Sequence, residues 1–257
     1  MIGQKKLKKT IDNFSDLPHS LLLIGERGSE EPEITDYIAK KFELVSFDLG
    51  EVLSKELLDQ IYESHTKSLY VVNLLNISPD KQNLLLKFYE EPTPYAYVLL
   101  FTENESTVLE TILTRSYTLK MDQYSEEELR KSSTVNFSNP LVYKICHTPG
   151  QLELAVHTDI QKLYSLCNAI VDSMTQASYS NALSIADKIN YKDEYDKYDL
   201  YLFLKLMRQV LLEKNKYDWY KSILEIDKCI WQMNNKKIQV ESLLTDLWLD
   251  AHGLQNY

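Results

Sequence analysis

The segment Gly25-Glu26-Arg27-Gly28-Ser29-Glu30-Glu31-Pro32 follows directly on the apolar run Leu21-Leu22-Leu23-Ile24 and precedes a helical pattern. A strand passing through a glycine-bearing turn into a helix is the setting of a phosphate-binding loop, G-x-x-x-x-G-K-[ST]. With Gly25 as the first glycine, Glu30 takes the second, Glu31 the lysine and Pro32 the hydroxyl position. Each change opposes nucleotide. Glu30 puts a side chain where backbone must approach the phosphates, and Glu31 exchanges a cation for an anion. Pro32 removes an N–H and the magnesium-ligating hydroxyl. A carboxylate beside a triphosphate is repelled by about 1 to 4 kcal/mol per close charge pair. The other half of such a site is an apolar strand ending in Asp-Glu, which hold magnesium and polarise water. Leu69-Tyr70-Val71-Val72 ends instead in Asn73-Leu74, with neither an anionic ligand nor a base. Both halves fail in the same direction, and on these residues alone Gly25 to Gly28 could equally be a plain strand–helix turn.

Little else has the spacing of a site. Cys146, Cys167 and Cys229 are far apart and lack a CxxC pair, so neither a disulfide frame nor a zinc site is indicated. The histidines show no ligand spacing, and His19 and His147 read as turn or cap residues; no metal is expected. Lys5, Lys6, Lys8 and Lys9 form a basic run that reads as a solvated helix face, or as a contact for phosphates or an acidic partner. Trp219, Trp231 and Trp248 lie among apolar helical positions and read as packing residues.

The elements that must position these residues alternate in the first half. Short apolar runs at Leu21–Ile24, Leu44–Phe47, Leu69–Val72, Tyr97–Phe101 and Tyr117–Lys120 read as strands buried on both faces. Helical patterns at Glu33–Phe42, Lys55–Ser64 and Pro79–Tyr89 lie between them, the last opened by a Ser78 cap and Pro79. Such alternation predicts a parallel sheet. Past Asp122 the strands stop. Ser125-Glu126-Glu127-Glu128 and Thr148-Pro149-Gly150-Gln151 fit the capping box, and each predicts a short helix. From about Asp159 the pattern is helical. Leu200, Phe203, Leu204, Met207 and Leu211 form one apolar stripe, and Val240, Leu243, Leu244, Leu247 and Trp248 form another. Tyr191 to Asp199 reads as a connection between helices.

The 257 residues carry 28 basic and 38 acidic side chains, a net charge of −10, with 44% hydrophobic content and six glycines. That composition excludes disorder, collagen and a disulfide scaffold. The acidic balance makes a poor stand-alone nucleic-acid binder, because duplex affinity comes chiefly from Lys and Arg at phosphates. The start Met1-Ile2-Gly3-Gln4-Lys5-Lys6 is not that of a signal peptide, and no run approaches a membrane span. A soluble cytoplasmic protein is expected.

Several blocks together resemble bacterial DNA polymerase III clamp-loader subunits of the AAA+ class. Ile2-Gly3-Gln4 and Pro18-His19-Ser20-Leu21-Leu22-Leu23-Ile24-Gly25 look like the opening of that family. Asn83 to Pro92 resembles its "N-x-L-L-K-x-x-E-E-P" stretch, and Thr102-Glu103-Asn104 its sensor-1 region. Thr111-Ile112-Leu113-Thr114-Arg115-Ser116 resembles the signature "T-I-L-S-R-C". His147 to Gln151 looks like the start of a lid helix, and Asn234-Asn235 through Leu244 like the last collar helices. The departures at Glu30, Glu31, Pro32, Asn73 and Leu74 make the chain resemble the delta-prime subunit, whose P-loop is degenerate. Gln151 or a neighbour stands where ATPase members carry a sensor-2 arginine. Only about 40 residues separate Gly28 from the Leu69 strand, too few for the zinc module many members insert.

The resemblance implies an α/β base over residues 1–122, a helical lid over 123–158 and a helical collar over 159–257. It implies a non-hydrolysing loader subunit, not itself an enzyme, with no cofactor bound at the degenerate loop (Gly25, Gly28, Glu30, Glu31, Pro32) or at Asn73 and Leu74. Arg115 would act in trans as an arginine finger on a neighbour's ATP. The implied partners are homologous ATPase subunits, a clamp-opening subunit, the sliding clamp and primer–template DNA within the complex, at the replisome and with no membrane. The alternatives are a divergent AAA+ NTPase and a non-replicative AAA+ scaffold.

Overall fold

The computed structural model describes residues 3–50, 53–74, 77–133, 135–176, 179–186, 196–215, 219 and 236–251. All five expected strands form: β1 (Ser20–Ile24), β2 (Val45–Gly50), β3 (Ser68–Asn73), β4 (Ala96–Thr102) and β5 (Tyr117–Lys120). They make one parallel sheet in the order β2-β3-β4-β1-β5. Side chains alternate between its faces, as the two-residue period of a strand requires. Leu22, Tyr70, Val72, Val98 and Leu100 point into one core, and Leu21, Leu23, Leu69, Val71, Leu99 and Phe101 into the other. Both faces of the central strands β1, β3 and β4 are covered, so these read as continuous apolar runs; the expectation fails at the edges, where Val45 and Phe47 of β2 and Tyr117 of β5 are exposed.

Helices α1 (Lys5–Asp12) and α2 (Glu31–Lys41) cover the second face with Leu7, Ile11, Ile34 and Ile38. Burying each of these contributes about 1.5 to 3 kcal/mol. The first face takes α3 (Lys55–Glu63), followed after β3 by α4 (Pro79–Gln82) and α5 (Leu86–Glu90), and after β4 by α6 (Glu110–Leu113). The expected single helix from Pro79 to Tyr89 is thus two, joined by a 3-10 turn at Asn83–Leu85 that drives Leu85 into the core. Ser78 sits at its N-cap but makes no side-chain cap bond; Pro79 at the first position starts the helix instead.

Beyond β5 lie α7 (Glu126–Ser132), α8 (Leu141–Ile145), α9 (Pro149–Val156), α10 (Ile160–Thr175), α11 (Tyr179–Ala186), α12 (Asp196–Glu213) and α13 (Lys236–Ala251). The capping box at Ser125 forms in full with Glu128. Two compact units result: Met1–Asn136 with His147–Leu152, and Phe137–Cys146 with Glu153–Tyr257. Residues 123–158 are therefore shared between the units. The first unit keeps α7 because Lys5 pairs with Glu128 at 3.4 Å and because Gln4 and Asp122 exchange two hydrogen bonds. In the second unit α8 packs on α12.

Helix α12 departs from the expected single stripe. Every residue from Tyr201 to Met207 is buried, including Lys205, whose ammonium lies 5.2 Å over the Tyr201 ring. A helix apolar on most sides is a core helix, and the buried Lys205 is accommodated by an aromatic face. Asp196 to Asp199 already belong to this helix and not to a connection. Leu243, Leu244 and Leu247 of α13 are buried as expected. Cys229, Trp231, Asn234 and Asn235 lie outside the described residues. Among the described residues no helix is long and apolar enough to cross a membrane, and no His/Cys/Asp/Glu group could hold a metal.

Candidate functional site

The register of the sheet brings the two failed motif halves together. Ile24 pairs with Thr102 and Asn73 with Phe101, so the loops after β1, β3 and β4 share one edge. Gly25 N–H closes onto the Thr102 carbonyl at 3.0 Å. Carboxyl ends of parallel strands, where the connections part to opposite faces, are where α/β sheets hold ligands.

The loop from Gly25 keeps the form of a phosphate cradle. Gly28 has φ +78° and Glu30, at the second glycine position, has φ +60° and ψ +40°. The left-handed turn survives the loss of its glycine, at a cost of about 1 to 2 kcal/mol for an L residue. The donors have been reassigned. Arg27 N–H donates to Glu103 Oε1 at 3.1 Å, and Gly28 N–H to Glu31 Oε1 at 3.1 Å. Glu31 thus does more than replace a cation: its carboxylate folds back onto the loop. Ser29 Oγ donates to the Glu26 carbonyl.

The segment at the start of α9 closes over the same loop. Gly150 N–H donates to the Gly28 carbonyl at 2.9 Å, and Thr148 Oγ1 to the Arg27 carbonyl at 2.6 Å. Gln151 is fully buried; its Nε2 reaches Glu26 Oε1 at 3.0 Å and the Arg27 carbonyl at 3.2 Å. His147 Nδ1 lies 3.3 Å from Glu26 Oε2. A Cβ added at Gly28 would stand 2.8 Å from Gly150 Cα, so the two glycines allow this approach. Half of the expected capping box forms, with Thr148 Oγ1 accepting from Gln151 N–H at 3.4 Å, while Gln151 Oε1 accepts from the N–H of His147 and not of Thr148. Nearby, burial raises the Tyr124 phenol, with Glu30, Glu31 and Glu33 adding to the shift.

At the end of β3, Asn73 is partly buried and Leu74 is packed into the core. Sequence reasoning missed Gln82, which is buried and satisfied three times. Its Nε2 donates to the Ile77 and Thr107 carbonyls, and its Oε1 accepts from Leu109 N–H. It ties the end of the β3 loop to the turn after β4. Glu103 was visible only as a neighbour of Asn104; its role appears once β1 and β4 are known to be adjacent.

Arg115 is placed elsewhere. It follows α6 and precedes β5, at the amino edge of the sheet. A five-residue strand separates the two edges by about 15 Å. The side chain is exposed, Nη1 donates to the Thr111 carbonyl at 3.1 Å, and no carboxylate among the described residues pairs with it. Its neighbour Ser116, at the signature's cysteine position, closes a triangle of hydroxyls with Ser20 and Tyr89, with edges of 2.8 to 2.9 Å. Burial raises the Tyr89 phenol against the opposing pull of those two hydroxyls and of the Arg115 charge.

The remaining candidates are accounted for locally. Lys5, Lys6, Lys8 and Lys9 are all exposed on α1, where Lys8 lies over the Tyr37 ring. His19 stacks on Tyr97, Trp219 is buried, and Cys146 and Cys167 are buried and in no disulfide.

Residues 45–125 match the family model described as "DNA polymerase III, delta subunit". The DNA polymerase III subunit gamma of Buchnera aphidicola subsp. Acyrthosiphon pisum (strain APS) is 27% identical across 51% of this chain and 46% of its own length. The chain thus spans about half the length of this curated relative. A DNA polymerase III gamma subunit-related protein from Thermotoga maritima is 17% identical over 97% of this chain and 99% of its own, with a TM-score of 0.45. The Thermotoga maritima RuvB Holliday junction branch migration motor is 16% identical over 51% and 49%, with a TM-score of 0.43. The segment that matches the delta-subunit model contains both the Asn83–Pro92 and Thr111–Ser116 blocks, so this part of the chain is similar to DNA polymerase III delta subunits.

Proposed function

We propose that the chain is a non-hydrolysing, delta-prime-like subunit of a sliding-clamp loader that supplies Arg115 in trans to the ATP site of a neighbouring subunit. One contrast supports this reading: the loop's Arg27 and Gly28 N–H groups are bonded to the chain's own carboxylates, while Arg115 stands exposed at the opposite sheet edge. From that edge Arg115 cannot serve its own loop. ATP at the neighbour would draw Arg115 in and order the ring around clamp and primer–template DNA, and hydrolysis would release the contact.

The test is reconstitution with P-loop-intact homologous subunits, a sliding clamp and primer–template DNA. Arg115→Ala is expected to abolish most DNA-stimulated ATPase at the neighbouring site, and an unchanged rate would sink the proposal. The isolated chain is expected to give a flat ATP titration; measurable binding would favour a divergent NTPase instead.

A further inference from the structure

The loop between β1 and α2 has the donors of an anion nest and already has anions on them. Successive N–H groups in such a turn converge and carry partial positive charge, which is why they hold phosphate oxygens. Here two successive donors, Arg27 and Gly28, each meet a carboxylate oxygen at 3.1 Å, from Glu103 and Glu31 respectively. One carboxylate comes from the turn after β4 and the other from the first residue of α2, so the nest is closed from two directions. The carbonyls on the loop's other side are engaged at the same time. Those of Arg27 and Gly28 accept from Thr148, Gln151 and Gly150.

We infer that Glu31 and Glu103 are internal substitutes for a bound oxyanion, and that by filling the nest they hold the His147–Leu152 segment on the loop without any nucleotide. An ordinary cradle has its donors free for phosphate when empty; this one is satisfied within the chain. The inference stands on these contacts and does not depend on Arg115 acting in trans. It makes the chain a fixed element, insensitive to the oxyanion that would switch a homologous loop.

Amide hydrogen exchange on the full chain tests it. Glu31→Ala and Glu103→Ala remove the acceptors, whereas Glu31→Gln and Glu103→Gln keep an acceptor oxygen in place. Exchange at Arg27, Gly28 and Gly150 is expected to quicken about tenfold in the double alanine variant and to stay near the parent rate in the double glutamine variant. Strand β3, in the same unit as the loop, serves as the reference for intact folding. Millimolar inorganic pyrophosphate is expected to leave exchange of the parent chain unchanged. Equal exchange in the parent and the alanine variant, with β3 protected in both, would overturn the inference. So would slowing of parent exchange by pyrophosphate, because the nest would then be open to outside anions.

Discussion

The loop after β1 and the turn before β5 lie at opposite edges of one sheet and have been treated in opposite ways. At the loop the polar groups of Arg27 and Gly28 are turned inward: carboxylates sit on their N–H groups, and Gly150, Thr148 and Gln151 sit on their carbonyls. At the turn the backbone is fixed just as firmly, by the bonds of Arg115 and Ser116 N–H to Ile112 and by the Ser20–Tyr89–Ser116 hydroxyls. The guanidinium, however, is left facing solvent. Rigidity alone therefore does not separate the two regions. What separates them is where the charge goes: two carboxylates are consumed inside the loop, and one cation is held out.

The sharpest break between the regions comes from Arg115→Ala. An arginine finger supplies about 10³-fold or more in rate, roughly 4 kcal/mol of transition-state stabilisation. The neighbour's single-turnover ATPase is expected to fall by that order, with the chain's own unfolding free energy moving by less than about 0.5 kcal/mol. A large loss of stability with an unchanged rate would make Arg115 a structural residue. Gly28→Ala should do the reverse. Its Cβ would stand 2.8 Å from Gly150 Cα with φ at +78°, where an L residue is strained. Overpacking and strain together cost about 3 kcal/mol, readable as a lower urea midpoint. A tolerated alanine would show that the loop yields, and the contrast would be lost.

The sheet was legible because its strands are short and apolar, the three central ones buried on both faces, and the loop because its glycines and carboxylates fall on a spaced pattern. The turn at Arg115 was legible only through its resemblance to a family signature. Adjacency was not legible. Glu103 reaches Arg27 because β4 pairs with β1, and Gln151 reaches Glu26 across 125 residues of chain. Neither contact has a local periodicity to announce it. The all-round burial of α12 was hidden for a related reason, since a stripe shows which residues are apolar and not how many neighbours surround the helix.

A smaller effect probes the turn from within. Tyr89→Phe removes one corner of the hydroxyl triangle while keeping the ring, and one net hydrogen bond is worth about 1 kcal/mol. A loss of that size is expected in urea unfolding, with a modest fall in neighbour ATPase as Ser116 loosens beside Arg115. Ser116→Cys, which brings the signature residue into the same triangle, should cost less than Tyr89→Phe. A larger cost would mean that the serine hydroxyl, and not the tyrosine, is the keystone of the turn.

The smallest effect asks what keeps the loop inward. Glu30 holds a left-handed backbone at φ +60° and ψ +40°, which costs an L residue about 1 to 2 kcal/mol. Glu30→Gly relieves that cost, but glycine loses about 0.4 to 1 kcal/mol through its freer unfolded chain. A net gain of about 0.5 kcal/mol is expected, a rise of about 2 °C in melting temperature. The substitution also returns glycine to the second glycine position of the phosphate-loop pattern. Nucleotide binding should nevertheless stay absent, because Glu31 still meets Gly28 N–H and Pro32 still lacks its own. If an ATP titration of the Glu30→Gly chain gave binding, the loop would be closed by one side chain at one position. The carboxylates on Arg27 and Gly28 would then be replaceable occupants, and the difference between the two edges of the sheet would rest on a single residue.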